Sequence, residues 1–285
     1  MKKMIAIVMV IVIISQVPVF GEESHELNID SKSCVLMESS TGMVLYENNQ
    51  NEKLSPASIT KIMTLILIFD AIHSGKIKLT DVATTSAYAK SMGGSQVFLE
   101  EGETQTVETL IKCIIIASGN DASVVMAEMI AGSEEAFVKK MNERAKSLGM
   151  NNTHFIDCCG LTDSDDHYTT AYDLYLIFNE CIKNDDFVKI IKSKSHTAKV
   201  TGSSGAVRSI TWEPTNFYAT GEAEKPDNVT VIGGKTGTTK LAGNCLVLLT
   251  EDENNHPYIS IVMNADTKPL LYKDMTAIVE AIPEK

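Results

Sequence analysis

Residues 58–74 read S-I-T-K-I-M-T-L-I-L-I-F-D-A-I-H-S, and this stretch decides how the rest of the chain is arranged. Apolar side chains follow one another at helical spacing on nearly every side, which is typical of a helix buried in the middle of a domain. Ser55 and Pro56 precede it, and we expect them to be the N-cap and the first helical residue. Because burying a charge is costly, Lys61 at the start of such a helix indicates a chemical role.

Patterns on both sides of this helix predict an α/β fold. Residues 33–38 and 43–47 alternate around Ser40-Thr41-Gly42, as in a β-hairpin. Further segments are expected to be the helices 106–116, 121–131, 134–148, 170–183 and 269–282 and the strands 229–236, 243–250 and 257–264. We therefore expect an antiparallel sheet built from both ends of the chain, with a helical subdomain at about residues 80–195 inserted between them.

The first residues have the pattern of a secretory signal peptide. Lys2 and Lys3 precede the apolar run 4–14, and Val19-Phe20-Gly21 supplies a cleavage site. This run is shorter than the ~20 residues that span a bilayer, although an uncleaved N-terminal anchor is the alternative. We expect residues 1–21 to be removed, residues 22–285 to form the folded domain, and the protein to act outside the cytoplasm.

Charge and composition exclude several classes of function. The net charge is -12, and the chain has only two arginines, Arg144 and Arg208, so no basic patch for nucleic acid is expected. The six histidines are scattered, and the six cysteines lack a paired C-x-x-C spacing, so we expect neither a metal site nor a cofactor. Export makes disulfides an alternative for these cysteines, but a chain of this size does not need them.

Ser58 and Lys61 have the spacing of an activated nucleophile. Positions i and i+3 of a helix share a face, so the lysine amine can reach the serine hydroxyl. Lysine removes a serine proton only when burial and nearby positive charge lower its pKa. Backbone N–H groups at the same helix start can receive an oxyanion. On its own the pattern is weak, since about two S-x-x-K matches are expected by chance in such a chain.

Two further motifs follow in order along the chain. Ser118-Gly119-Asn120 falls between two expected helices and, taken alone, is most simply a helix N-cap. Lys235-Thr236-Gly237 falls on an expected strand and places a second lysine where it could approach the first. Together, the three motifs on a helix start, an interhelical loop and a strand predict a serine acyl-transfer site.

The chain resembles the penicillin-binding serine D-alanyl-D-alanine carboxypeptidases over residues 30–283. The resemblance is carried by P-A-S-I-T-K-I-M-T at 56–64, G-G-S-Q-V-F-L-E-E-G-E at 93–103, A-S-G-N-D-A at 117–122, K-S-L-G-M at 146–150, H-Y-T-T-A-Y-D at 167–173 and G-G-K-T-G-T-T at 233–239. It implies an α/β fold of the β-lactamase/transpeptidase type. It also implies peptidoglycan stem peptides as substrates and β-lactam antibiotics as covalent inhibitors.

The resemblance assigns roles to individual residues. Ser58 is the implied nucleophile and Lys61 its general base, and Ser118 and Asn120 are implied to relay a proton and hold the substrate amide. The K-T-G strand at Lys235, Thr236 and Gly237 is implied to bind the terminal carboxylate of the substrate. The N–H groups of Ser58 and Thr238 form the implied oxyanion hole. Arg208 could also grip the terminal carboxylate, with a solvated surface arginine as the alternative.

The expected activity is removal of the terminal D-Ala from peptidoglycan pentapeptides. One alternative is a serine β-lactamase, which the S-G-N motif and the lack of an E-x-x-L-N loop disfavour. The other is a non-catalytic cell-wall or penicillin sensor. Better-known members carry a C-terminal β domain and a membrane-binding helix, which we do not expect here, and membrane attachment stays open. Cys158-Cys159 also departs from the family pattern.

Overall fold

The computed structural model describes residues 27–193, 195–202 and 204–283, so the expected signal segment lies outside the described residues. The strands are β1 Ser33–Glu38, β2 Val44–Asn48, β3 Val82–Thr84, β4 Thr104–Thr106, β5 His196–Thr201, β6 Val207–Trp212, β7 Thr230–Thr239, β8 Gly243–Glu251 and β9 Pro257–Ala265. The helices are α1 Lys61–His73, α2 Ala87–Lys90, α3 Val107–Ile116, α4 Asn120–Ala131, α5 Glu134–Ser147, α6 Ala171–Cys181, α7 Asp185–Ile191, α8 Phe217–Thr220 and α9 Lys268–Glu280.

The main sheet has the strand order β2-β1-β9-β8-β7 and is antiparallel throughout. The predicted sheet from both chain ends is therefore confirmed. Its interior strand β8 is buried on both faces because its side chains alternate between two cores. Leu246 and Leu248 pack toward α9, whereas Val247 and Leu249 belong to the larger core that the helices share.

The larger core is built around α1, as its apolar sequence predicts. This helix contacts α3, α4, α5 and α6, and nine of its residues are buried, Lys61 among them. The other helices predicted from the sequence begin and end within two residues of the expected positions. No helix in the described part of the chain is long and apolar enough to cross a membrane.

A second sheet, which the sequence did not predict as a unit, has the order β3-β4-β5-β6. Its strands β5 and β6 pair from His196↔Trp212 to Thr201↔Val207. The other two strands have only three residues each, too few to show an alternating pattern.

The start of the central helix differs from the prediction. Ser55 is not its N-cap: Ala57–Thr60 form a 3₁₀ turn that Pro56 precedes, without a side-chain cap, and the α-helix begins only at Lys61. The reason is the backbone of Ala57. Its φ of 47° lies in the left-handed region and bends the chain at the first residue of the turn. Residues i and i+3 eclipse in a 3₁₀ turn, so this geometry places Lys61 directly over Ser58.

Gly160 packs against this turn too closely for any side chain. A Cβ there would lie 1.7 Å from the carbonyl oxygen of Ala57, and the φ of Gly160 is +74°. The segment that follows Cys159 is thereby fixed against the residue before Ser58. This contact holds the loop at 157–162 against the turn.

We expect Gly160→Ala to lower the free energy of unfolding far more than Gly75→Ala. Both glycines have nearly the same φ, but a Cβ at Gly75 meets nothing within 4 Å. Gly75→Ala should therefore cost only the roughly 1–2 kcal/mol of a left-handed alanine. Gly160→Ala adds a backbone clash that we expect to cost at least about 3 kcal/mol more. Urea unfolding of the two variants measures the difference, and equal costs would contradict the contact.

Candidate active site

Lys61 is fully buried beside Ser58. Its Nζ lies 2.9 Å from Ser58 Oγ and donates to the carbonyl oxygen of Cys159 at 2.7 Å. The relative exposure of Lys61 is 0%. Burial lowers the pKa of Lys61 below its ordinary value of 10.5, although nearby acidic groups oppose the shift. An amine held in this way can lose its proton and accept one from the serine.

A second serine–lysine pair joins the loop between α3 and α4 to strand β7. Lys235 Nζ donates to Ser118 Oγ and to the carbonyl oxygen of Thr236, each at 2.9 Å. Burial, and in addition the charge of Lys61, lower the pKa of Lys235 well below 10.5. The ammonium of Lys61 thus disfavours a second proton on Lys235.

The loop between α3 and α4 is strained where it presents its serine. Ser118 has a φ of 59°, which a non-glycine residue adopts at a cost of order 1–3 kcal/mol. Ser118 is therefore not the N-cap of α4: Gly119 holds that position and the helix begins at Asn120. Asn120 anchors the loop, because its N–H donates to Ser95 O at 2.8 Å and its Nδ2 to Gly93 O at 2.7 Å. Its Oδ1 is buried and accepts no hydrogen bond from the described residues.

The two pairs open onto one cleft with a volume of about 190 Å³. Three consecutive residues of β7, Thr236, Gly237 and Thr238, form one wall. The strand can approach Ser58 because Gly237 has no side chain: a Cβ there would lie 2.6 Å from Pro56 O. The remaining lining residues are Ser58, Ser95, Ser118, Thr215, Phe217, Lys268, Leu271 and Tyr272.

Two buried residues that the sequence analysis did not single out hold the carbonyl that faces Lys61. Asp157 accepts the N–H groups of Cys159 at 2.9 Å and Gly160 at 2.5 Å, and so fixes the turn that carries this carbonyl. His167 lies 4.0 Å from Asp157 Oδ2, and its Nε2 is 2.8 Å from Thr60 Oγ1. The signal for Asp157 is local, since an aspartate three positions before a glycine is typical of a side-chain-capped turn.

Comparison with known proteins agrees with this geometry. The family profile described as D-alanyl-D-alanine carboxypeptidase matches residues 20–267. The chain belongs to the D-alanyl-D-alanine carboxypeptidase family. The resemblance found in the sequence is thereby confirmed.

Curated members of the D-alanyl-D-alanine carboxypeptidase family are similar over much of this chain. It is 54% identical over 169 residues to the carboxypeptidase DacF of Bacillus subtilis, which covers 59% of this chain and 43% of that protein. It is 36% identical over 254 residues to DacC of Escherichia coli, which covers 87% of this chain and 60% of that protein. The chain thus spans about half the length of the curated relatives it matches.

Solved structures confirm the predicted transpeptidase-like α/β fold. The Streptomyces K15 DD-transpeptidase superposes with a TM-score of 0.80 at 28% identity, covering 89% of this chain and 97% of that one. Penicillin binding protein 6B from Escherichia coli superposes with a TM-score of 0.78 at 31% identity, covering 89% of this chain and 77% of that one. The sheet and helices around the cleft are therefore those of known DD-peptidases.

Arg208 lies away from the cleft at which the other predicted site residues meet. It is on β6, in the second sheet, and does not line the cleft. Its guanidinium binds both carboxylate oxygens of the buried Glu103, at 2.9 and 2.8 Å, and the carbonyl oxygen of Phe98. The expected grip of Arg208 on a substrate carboxylate stays a prediction, since the structure shows the guanidinium bound to Glu103 and away from the cleft.

We expect His167→Gln to change how stability depends on pH. Burial lowers the pKa of His167 below 6.5, although Asp157 opposes the shift. Between the lowered value and 6.5 the unfolded chain binds more protons than the folded one, so His167 makes the free energy of unfolding fall as the pH falls through this window. In the glutamine variant this fall in the free energy of unfolding is absent, because glutamine does not titrate. At pH 7 it should be less stable by about 1–3 kcal/mol, because Thr60 loses its partner.

The stability difference between wild type and His167→Gln should therefore shrink between pH 7 and pH 5 in urea titrations. His73→Gln, a change at an exposed histidine, serves as the control. A difference that stays constant over this range would contradict a neutral, buried His167.

Proposed function

We propose that the protein removes the C-terminal D-Ala from peptidoglycan stem peptides that end in D-Ala-D-Ala, through an acyl-enzyme on Ser58. The observation that carries the proposal is the buried Lys61 amine, 2.9 Å from Ser58 Oγ at the edge of the cleft. Membership of the D-alanyl-D-alanine carboxypeptidase family supports the substrate class. The same cleft is proposed to take β-lactam antibiotics as covalent inhibitors, and one solved relative is named a penicillin binding protein.

The first step is formation of the ester. Neutral Lys61 takes the proton of Ser58 Oγ, which attacks the carbonyl carbon of the penultimate D-Ala. The N–H groups of Ser58 and Thr238 receive the oxyanion. Collapse of the tetrahedral intermediate breaks the peptide bond, and the leaving amine takes a proton that Lys61 returns through Ser118. Water then hydrolyses the ester and regenerates Ser58.

Lys235 is proposed to bind the terminal carboxylate of the substrate, together with the hydroxyl groups of Thr236 and Thr238. The arrangement of the two lysines gives this contact a second effect. Only one of two neighbouring buried amines holds a proton readily, and a carboxylate beside Lys235 keeps that proton on Lys235. Lys61 then stays neutral, as its task as a base requires. Asn120, whose Oδ1 is free of hydrogen bonds from the described residues, is proposed to accept the substrate amide N–H.

Such a substrate lies outside the cytoplasm, and we include export in the proposal. The charged and apolar pattern of residues 1–21 supports it. N-terminal sequencing of the protein collected from the cell surface or the medium is the test, with a start near Glu22 as the expected result.

We expect Ser58→Ala to abolish both covalent labelling and D-Ala release. The purified protein is incubated with a fluorescent penicillin and, separately, with diacetyl-Lys-D-Ala-D-Ala. Wild type should label and release D-Ala, and the variant should lose at least about a thousandfold in rate, since no other nucleophile replaces the serine. Ser91→Ala, at an exposed serine, is the matched control.

The two readouts separate the alternatives. Rapid penicillin turnover without D-Ala release indicates a β-lactamase, and labelling without turnover of either compound indicates a sensor. An unlabelled wild-type protein would overturn the serine mechanism itself.

The rate of penicillin acylation should rise with pH and level off below the range in which ordinary lysines titrate. Lys61 acts as a base only when neutral, and burial lowers its pKa from 10.5. Stopped-flow labelling across the pH range gives the apparent pKa in the free protein. A rate that climbs without a plateau up to pH 10.5 would show that another group takes the proton.

A further inference from the structure

Behind the active site, two adjacent cysteines and a glutamate converge. The thiol sulfurs of Cys158 and Cys159 and a carboxylate oxygen of Glu134 all lie within 4.8 Å of one another. Glu134 opens helix α5 and stands 24 positions before Cys158, a spacing that no metal-binding sequence pattern describes. We propose that these three side chains form a binding site for a thiophilic divalent cation of the zinc class.

The donor set suits such an ion. Two sulfurs and one carboxylate oxygen are ligands that Zn²⁺ and Cd²⁺ accept, with Zn–S distances of about 2.3 Å and Zn–O distances of about 2.0–2.2 Å. Donors that surround one ion at these distances are separated by roughly 3.5–4 Å. The observed separations, all within 4.8 Å, are close to this spacing. A water molecule from the Glu134 side completes a tetrahedral shell.

An acidic depression on the surface borders the site at Glu134. It has a volume of about 460 Å³ and is lined by Tyr88, Glu128, Ser133, Glu134, Glu135, Val138 and Ile156. Three of these residues are glutamates, and none is a lysine or arginine. Glu134 is partly exposed, whereas both cysteines are 0% exposed. Its carboxylate thus separates the solvent-filled depression from the buried thiols.

The contacts that Glu134 already makes are compatible with ligation. One oxygen accepts the N–H of Cys158 at 2.9 Å, and the other accepts the hydroxyl of Tyr88. A carboxylate has about four lone-pair positions, so two remain for a metal. Both cysteines are free thiols. Binding therefore replaces two thiol protons with one divalent ion, releases those protons to solvent, and strengthens as the pH rises.

The cysteine backbone links this site to the active site. Cys159 O accepts from Lys61 Nζ at 2.7 Å, and Cys158 O accepts from Thr64 Oγ1 at 2.5 Å. Drawing both sulfurs onto one ion turns the two peptide units that carry these carbonyls. A bound ion should then displace Lys61 from Ser58 and slow acylation, a consequence that, unlike metal binding itself, rests on the proposed function.

Metal binding is tested on the purified, reduced full chain with Cd²⁺ and Zn²⁺. Cd²⁺ is followed by its thiolate charge-transfer absorption in the ultraviolet, and both ions by the metal-to-protein ratio after gel filtration. Wild type should bind one ion per chain. Cys158→Ser and Cys159→Ser should abolish the absorption band. Glu134→Gln should weaken affinity by at least about tenfold, since even the loss of an outer-shell partner of a ligand costs that much.

Matched controls are available on the same chain. Cys113→Ser alters another buried cysteine, in α3, and Glu135→Gln alters another glutamate of the same depression. Both should bind like wild type. Thermal unfolding verifies the fold of each variant. If a cysteine variant does not fold, the test is the metal affinity of Glu134→Gln compared with that of Glu135→Gln. Both glutamates are partly or fully exposed, so both variants should fold.

Three results would overturn the site: an absorption band that survives in both cysteine variants, equal affinities for the two glutamine variants, or a wild-type thiol count that reveals a Cys158–Cys159 disulfide. The coupling to catalysis is read separately, as the rate of fluorescent penicillin labelling with and without Cd²⁺. Stoichiometric metal binding with unchanged labelling would overturn the inhibition alone. A metal-free protein that never labels would overturn the proposed function and leave the metal site in place.

Discussion

The structure depends on burying one amine. Lys61 stands at the first position of the central helix, where water cannot reach it, and a protonated amine there is costly unless it finds acceptors. Ser58 and the carbonyl oxygen of Cys159 are the two groups within hydrogen-bond distance. The 3₁₀ turn before the helix and the loop at 157–162 are both shaped to supply them. The same cost that makes this position unfavourable for a charge lowers the pKa and makes the lysine a usable base.

Close backbone packing brings the distant segments of the site together. Gly160 and Gly237 contact the same short stretch, the carbonyl groups of Ala57 and Pro56, from opposite parts of the chain. Neither contact leaves room for a Cβ. The 3₁₀ turn that carries Ser58 is therefore packed between the loop on one side and strand β7 on the other. Strand β7 belongs to the sheet that both chain ends build, and the loop belongs to the helical part. Their shared contact with one turn joins the two halves at the cleft.

The sequence predicted what periodicity and motifs encode, and missed what depends on single backbone angles. Long helices and the central strands were expected within a few residues, because their apolar patterns extend over two turns or more. Nothing in the sequence signals the left-handed angles of Ala57 and Ser118, which replace the expected caps by a bent turn and a strained loop. The ion pair of Arg208 was missed for a related reason. Its partner Glu103 lies 105 positions away, and a pairing so distant in sequence leaves no local pattern.

The loop at 157–162 carries two kinds of chemistry on one backbone. Its carbonyl groups hold the central helix at Lys61 and Thr64, while its thiols meet Glu134 at the base of an acidic depression. Asp157 fixes the peptide N–H groups of this loop, so its carbonyl and side-chain positions are coupled through a few stiff peptide planes. An ion that holds both sulfurs would therefore also restrain the two carbonyl groups of this short segment. A ligand that binds the thiols would therefore act on Lys61 through the carbonyl group of Cys159.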